Sequence, residues 1–355
     1  MTTNNKFGVI LPCILSLICS CSTVTQTPEH IFRTSVSFDL LCAPQNFDNL
    51  KSDPTFDALA KDTVFMQNLQ AVNNHTRASR LCNLYAHINI DRNDIASVIN
   101  KTDSLDILAT HLDWAKEILS VQPQLKYVLS ALVESGYSNW WTKNVKPELD
   151  KSIEGYHISD TLLIALNKEL HNFASPEKID IQSNIYILNI DNAFNLNDET
   201  FCCTPLILNP EIEKQLRLNF LNIYIHENCH SLKLTPELIS AIDNLKSDSF
   251  FAEKEEIAEG HGEGKNEAAV VAAEVYISHK IGHRSSQSVY DEFTQYVDGS
   301  LVLAPIIYVN MDMRKPNETY NDFLLRLFND GTISSGHIEQ AYKQAMETIH
   351  NAIQE

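Results

Sequence analysis

Residues 223–232 read IYIHENCHSL, and their centre, His226-Glu227-Asn228-Cys229-His230, matches the pattern HExxH. On a helix, residues four apart share a face, so His226 and His230 present their imidazoles one turn apart and can grip one metal ion. Glu227 lies one step round, where its carboxylate reaches a water on that ion. The flanks Ile223-Tyr224-Ile225 and Ser231-Leu232 carry no charge, and neither do Asn228 and Cys229. A helix of that composition belongs inside a fold. Cys229 points away from the histidine face and reads as a small packing residue.

The helix carrying the motif is expected over Glu211–Leu234, with apolar positions Ile212, Leu216, Phe220, Ile223 and Leu232. Before it, Ile179–Ile190 (IDIQSNIYILNI) alternates as a half-buried strand does. Asn192–Thr200 reads as a turn, and Phe201–Leu208 as a returning strand. After it, Thr235-Pro236-Glu237 opens a new helix, with Thr as cap and Pro in the first turn. Glu259–Gly264 (EGHGEG) holds three of the ten glycines and reads as a loop, and Asn266–Ile281 as an Ala-rich helix.

Upstream, Ser35–Leu41 alternates like a strand. Phe56–Ala71, Ile95–Ile118, Leu125–Ser135 and Asp160–Phe173 carry helical periodicity, the last with Ser159 as its cap. The order is helices, a hairpin, then helices, so the class is α+β: a mainly helical chain with a small antiparallel sheet or hairpin before the HExxH helix. A mainly helical part over 35–178 and a motif-bearing part over 179–355 are the expected units.

A catalytic zinc needs a third protein ligand and one position open to water. A continuation with Gly at 233 and His at 236 is absent, since Lys233 and Pro236 stand there. A carboxylate on a later helix remains. Glu267 and Glu274, seven apart, share a face of the Ala-rich helix, and only Ala and Val lie between them. Glu267 is the first choice because it opens the helix behind the Gly-rich loop; Glu274 and His261 are the alternatives. There is no CxxC pair, which excludes a cysteine-ligated structural metal.

With Zn²⁺ on His226, His230 and Glu267, Glu227 reads as the general base. The oxyanion donor is expected among the tyrosines C-terminal to the third ligand, Tyr308 first, then Tyr296 and Tyr320. An extended peptide substrate is expected to pair with Ile185–Ile190 or Phe201–Leu208. Two other functions fit the same residues: a non-catalytic binding protein that keeps the fold, and a zinc hydrolase acting on a non-peptide bond.

The hairpin, the HExxH helix, the Asn266-Glu267 start of the Ala-rich helix and the tail Gly299–Phe328, with Arg314, Pro316, Tyr320 and Phe323, resemble a group of bacterial gluzincin-like proteins of unknown function. That group's later helix reads Glu-x-x-x-Arg-Ala, whereas Glu267–Ala273 keeps the Glu and lacks the Arg. Ser300 and Leu301 stand where aromatic residues usually follow the tail's Gly. The resemblance spans roughly residues 183–328 and implies a zinc peptidase-like fold with no known substrate.

Lys6 precedes an apolar run, Phe7–Ile18, too short to span a bilayer as a helix. It ends in Ile18-Cys19-Ser20-Cys21, a small residue directly before a cysteine, which resembles the bacterial lipobox. Residues 1–21 are then a lipoprotein signal, Cys21 the lipidation site, and 22–34 a tether. The expected location is the bacterial envelope, with Ser22 after the cysteine favouring the outer membrane, and with the lipid as the only membrane contact. Five cysteines remain, an odd number, and a Cys42–Cys82 disulfide would suit an oxidising compartment.

The 355 residues carry 27 Lys+Arg against 46 Asp+Glu, a net charge of −19. Such acidity excludes nucleic acid as a partner, because phosphate binding needs clustered cations. Asp243–Glu267 holds eight of the acids and three bases. It reads as a solvated face, or alternatively as surroundings that retain a cation or favour basic peptides. Trp140-Trp141 reads as interior packing rather than a ligand platform.

Overall fold

Four short apolar strands form one mixed sheet: β1 (Ile31–Arg33), β2 (Asn184–Ile187), β3 (Phe194–Leu196) and β4 (Thr200–Cys203). The order is β1-β2-β4-β3, with β1 and β4 both parallel to β2 and with β3 antiparallel to β4. The computed structural model describes residues 31–354 apart from 110, 158–159, 177–183, 192, 197–199 and 205–209, without the side chains of 31, 155–162 and 210–219. The expectations for residues 1–30, including Cys21, for Ser159, and for the strand ends at 179–183 and 205–208 lie outside the described residues.

The sheet differs from the expected hairpin in two ways. The two expected strands are parallel neighbours, and the segment expected as a turn supplies β3. Phe194 and Leu196 are buried on either side of the half-exposed Asn195, and that short alternation is enough to pair along the far side of β4. The chain turns twice between β2 and β4, which is why they run the same way. Part of the expected tether is also structured, since β1 registers Ile31 against Asn184 and Arg33 against Tyr186. Buried apolar residues form one continuous core from Phe32 to Ile349, on both sides of residue 178.

Ser35–Leu41 is helical, not a strand. Helix α1 (Val36–Cys42) is capped by the Ser35 hydroxyl, which accepts from Phe38 N at 3.1 Å. Residues 37–42 are all buried, so the alternation of residue types marks no exposed face. The long helical stretches break into shorter ones. Asp62, for example, ends the helix Asp57–Lys61 and caps Thr63–His75, accepting from Val64 N at 2.8 Å. Trp141 is buried and donates its indole N–H to Asp39 Oδ2 at 2.6 Å, while Trp140 donates to Asp53 Oδ2 at 2.9 Å. Both tryptophans therefore pack and bond inward. Cys42, Cys82, Cys202, Cys203 and Cys229 are all buried and outside any disulfide, with Cys42 Sγ 3.7 Å from Cys82 Sγ.

Helix α2 (Pro210–Cys229) carries the motif. Phe220 packs tilted and Tyr224 edge-on against Phe201 of β4, at centroid distances of 5.9 and 5.6 Å. The Tyr224 hydroxyl donates to Asn167 Oδ1 at 3.2 Å, on the helix Asp160–Ala174. One side of α2 is thus fixed to the sheet and to a neighbouring helix. The helix stops at Cys229, short of the expected Leu234. Ser231 donates to the Asn228 carbonyl at 2.6 Å and Leu232 N–H to the Cys229 carbonyl at 2.9 Å, satisfying the end.

Helix α3 (Pro236–Asn244) starts at the Thr235 cap, as expected. Helix α4 (Ser249–His261) runs through half of the expected Gly-rich loop and ends only at Gly262, whose φ of 87° is the left-handed C-cap. Helix α5 (Glu267–Lys280) follows and packs against α2. Its buried Ala269, Ala272 and Ala273 keep side-chain bulk low where the helices meet. Beyond it come α6 (Ser286–Gln295), α7 (Leu303–Asn310) and α8 (Tyr320–Asn329).

Candidate metal centre

His226 sits in the last turn of α2, and His230 just beyond it, its N–H still bonded to the His226 carbonyl at 3.3 Å. The Tyr224–Asn228 side of the helix is buried, leaving His226, Glu227 and His230 on the partly exposed side. The two imidazoles meet with Nε2 atoms 3.2 Å apart. Glu267, the first residue of α5, lies with Oε1 3.3 Å from His226 Nε2 and Oε2 3.8 Å from His230 Nε2.

Among the described residues these three form a cluster of metal-ligand type, with their ligand atoms within 4.8 Å of one another. Ligands at 2.0–2.2 Å from a tetrahedral zinc lie about 3.3–3.6 Å apart. The observed separations bracket that value, and two imidazoles with one carboxylate are a donor set that zinc takes. The residues present therefore fit the ion.

The charges are mutually dependent. Burial opposes protonation of His226, but the hydrogen bond and charge of Glu267 outweigh it and raise its pKa. Burial likewise opposes ionisation of Glu267, and His226 outweighs it and holds the carboxyl below its ordinary range. For His230, burial and the neighbouring His226 both lower the pKa. Burial pushes Glu227 up to about 7. Its carbonyl accepts from Asn195 Nδ2 at 2.5 Å, which ties β3 to the motif. Asn195 Oδ1 is buried with no hydrogen-bond partner among the described residues.

The three tyrosines separate clearly. Tyr296 donates its hydroxyl to Glu267 Oε1 at 3.2 Å and stands edge-on to His226 at 6.4 Å. Tyr308, the first expectation, instead bonds His279 Nδ1 at 2.6 Å. His279 lies twelve residues along α5 from Glu267, about 18 Å away at 1.5 Å per residue. The burial of α7 against the far end of α5 holds Tyr308 there. Tyr320 is buried and donates to the Ala269 carbonyl at 2.7 Å. The alternative ligands are also engaged elsewhere: Glu274 pairs with Arg284 at 3.0 Å, and His261 with Asp298 at 2.9 Å.

Tyr296 is delivered by an unusual segment. Val297, Asp298 and Gly299 take φ values of 51°, 54° and 63°, three left-handed residues in succession. A β-branched residue there is strained. A Cβ on Gly299 would meet the Thr294 carbonyl oxygen at 2.9 Å, so that position requires glycine. Asn195 and Asp298 were not visible from the sequence, since nothing in their local pattern links them to the motif.

The fold and the site together define a mainly helical α+β chain with a cluster of two histidines and one carboxylate that could hold a metal ion. No family model, curated protein or solved structure matches the chain.

Proposed function

We propose that the protein is a zinc-dependent peptidase of gluzincin type, displayed in the bacterial envelope by a lipid on Cys21. The convergence of His226 and His230, at the end of α2, with Glu267, at the start of α5, carries this reading. Zinc held by those residues would polarise a peptide carbonyl and lower the pKa of water towards neutrality. Glu227, one residue from His226 on the same partly exposed side of the helix, would take the proton of the attacking water and return it to the leaving amine. Tyr296 orients the Glu267 carboxylate.

An extended peptide suits the sheet, though not along the strands first expected. β2 and β4 are both interior to the order β1-β2-β4-β3, whereas β3 is an edge and is bonded to the motif through Asn195. Among the described residues no helix is long and apolar enough to cross a membrane; the membrane link in this proposal is the acyl chain alone.

Zinc-loaded wild-type protein is expected to cleave unstructured peptides. Glu227→Gln should keep its zinc and lose about 10²–10⁴-fold in rate, the usual contribution of a general base. Equal rates for the two proteins, or no cleavage by the zinc-loaded wild type across a mixed peptide library, would overturn the proposal.

A further inference from the structure

Beside the metal cluster a cavity of about 140 Å³ opens between α3, α4, α5 and residues 300–303. Its position is set by two residues. Ala268 lines it and follows Glu267 directly in the chain. Glu263 also lines it, on the short loop whose Gly264 carbonyl accepts the Glu267 N–H at 3.0 Å. The volume is close to that of a cavity that holds one benzene, and well below the 300 Å³ or more of a small-molecule site. It suits one side chain.

The lining is divided. Ile242, Phe251, Val302 and Leu303 are buried and apolar, whereas Glu255, Glu259 and Glu263 stand at partly or fully exposed positions. Lys246 offsets part of that charge, bridging Glu255 at 3.2 Å and Glu259 at 3.6 Å; Lys265, which also lines the cavity, is drawn to Asp243 outside it. Glu263 makes no ion pair among the described residues. Arg77, beside the neighbouring Gly262, acts on Glu263 through its charge without a direct salt bridge among the described residues. The cavity therefore has an apolar wall and an acidic rim, in which Glu263, at the end next to Glu267, is the lining carboxylate without an ion pair among the described residues.

A side chain that buries a methylene stem and keeps a cationic head near its edge matches that division. An acidic side chain meets like charge, and a plain aliphatic one leaves Glu263 unpaired. We infer that this cavity is a specificity pocket for a lysine or arginine side chain of the substrate, with Glu263 as the residue that selects the cation. The inference rests on the peptidase reading for its substrate, but not for its chemistry.

The test uses the zinc-loaded Glu227→Gln chain and blocked pentapeptides Ala-Ala-X-Ala-Ala with X as Lys, Arg, Leu or Glu, measured by calorimetry. Wild type is assayed for cleavage of the same peptides. Lys and Arg peptides are expected to bind on the order of tenfold more tightly than the Glu peptide, the effect of one partly buried charge. Adding Glu263→Gln should remove most of that preference, and Glu263→Lys should reverse it, with the Leu peptide unchanged in both. Equal affinity for all four peptides, or a preference that survives both substitutions, would overturn the pocket. Indiscriminate cleavage by wild type would overturn the pocket and leave the peptidase standing. Lys-selective binding with no cleavage by wild type would do the reverse, and no binding of any peptide would overturn both.

Discussion

Glu267 Oε1 stands 3.3 Å from His226 Nε2, which brings the first turn of α5 against the last turn of α2. Glu267 is only 3% exposed. A carboxylate that deep is costly unless it is paired or holds a metal. His226 and His230 stand at 3.3 and 3.8 Å from its oxygens, and a divalent ion at the same point would satisfy all three.

The Tyr296 hydroxyl is the outer partner of that carboxylate. Tyr296→Phe is expected to weaken zinc binding by about 10–100-fold, the usual effect of losing such a partner. Tyr308→Phe should leave zinc affinity unchanged, because Tyr308 bonds His279 instead. Competition against a chromophoric chelator reads both. Equal effects of the two substitutions would contradict the assignment.

Glu274 tests whether α5 carries one ligand or two. It is buried against Arg284, with contacts at 3.0 and 3.2 Å, and Arg284 also reaches Glu292 at 2.7 Å. Breaking a buried pair by removing one partner costs about 3–5 kcal/mol. Since Glu292 remains, we expect Glu274→Ala to fall at the low end of that range in urea unfolding. Its zinc content should stay at wild-type level, and loss of zinc from the folded variant would return Glu274 to the site.

Asp39 gives the fold a pH signature. Burial raises its carboxyl from 3.8 to about 7, against hydrogen bonds from Trp141 Nε1 at 2.6 Å and Asn189 N at 2.7 Å. The folded state therefore keeps a proton that the unfolded state has already lost. Stability from this group is complete below pH ~4 and falls as the pH rises to ~7, by a few kcal/mol in all. Urea unfolding of wild type and Asp39→Asn at pH 4.5 and 7.5 should show wild type losing stability relative to the variant as pH rises. A constant difference would contradict the shift.

Local chemistry made several of these elements legible in the sequence. The Thr235 cap, the Ala-rich helix and the motif helix follow from capping and periodicity. Glu267 was legible because few residues separate a glycine-rich turn from a helix start. What was hidden depended on tertiary pairing. β3 and β1 are three residues each and gain their stability from neighbouring strands, so no local pattern marks them. Ser35–Leu41 misled because a helix buried all round has no face to display. Tyr296 and Tyr308 look alike in sequence; the left-handed turn at 297–299 separates them, and only Gly299 of its three residues hints at that conformation.

Zinc content bears most directly on the centre itself. Wild type, His226→Ala, Glu267→Ala and Glu227→Gln are each purified, dialysed and measured by mass spectrometry for metal per chain. We expect one zinc per chain in wild type and Glu227→Gln, and less than about a tenth of that in His226→Ala and Glu267→Ala, each lacking one of three ligands. Wild type without stoichiometric zinc after exposure to it, or full zinc retention in both ligand variants, would contradict the assignment of His226, His230 and Glu267 as a metal centre.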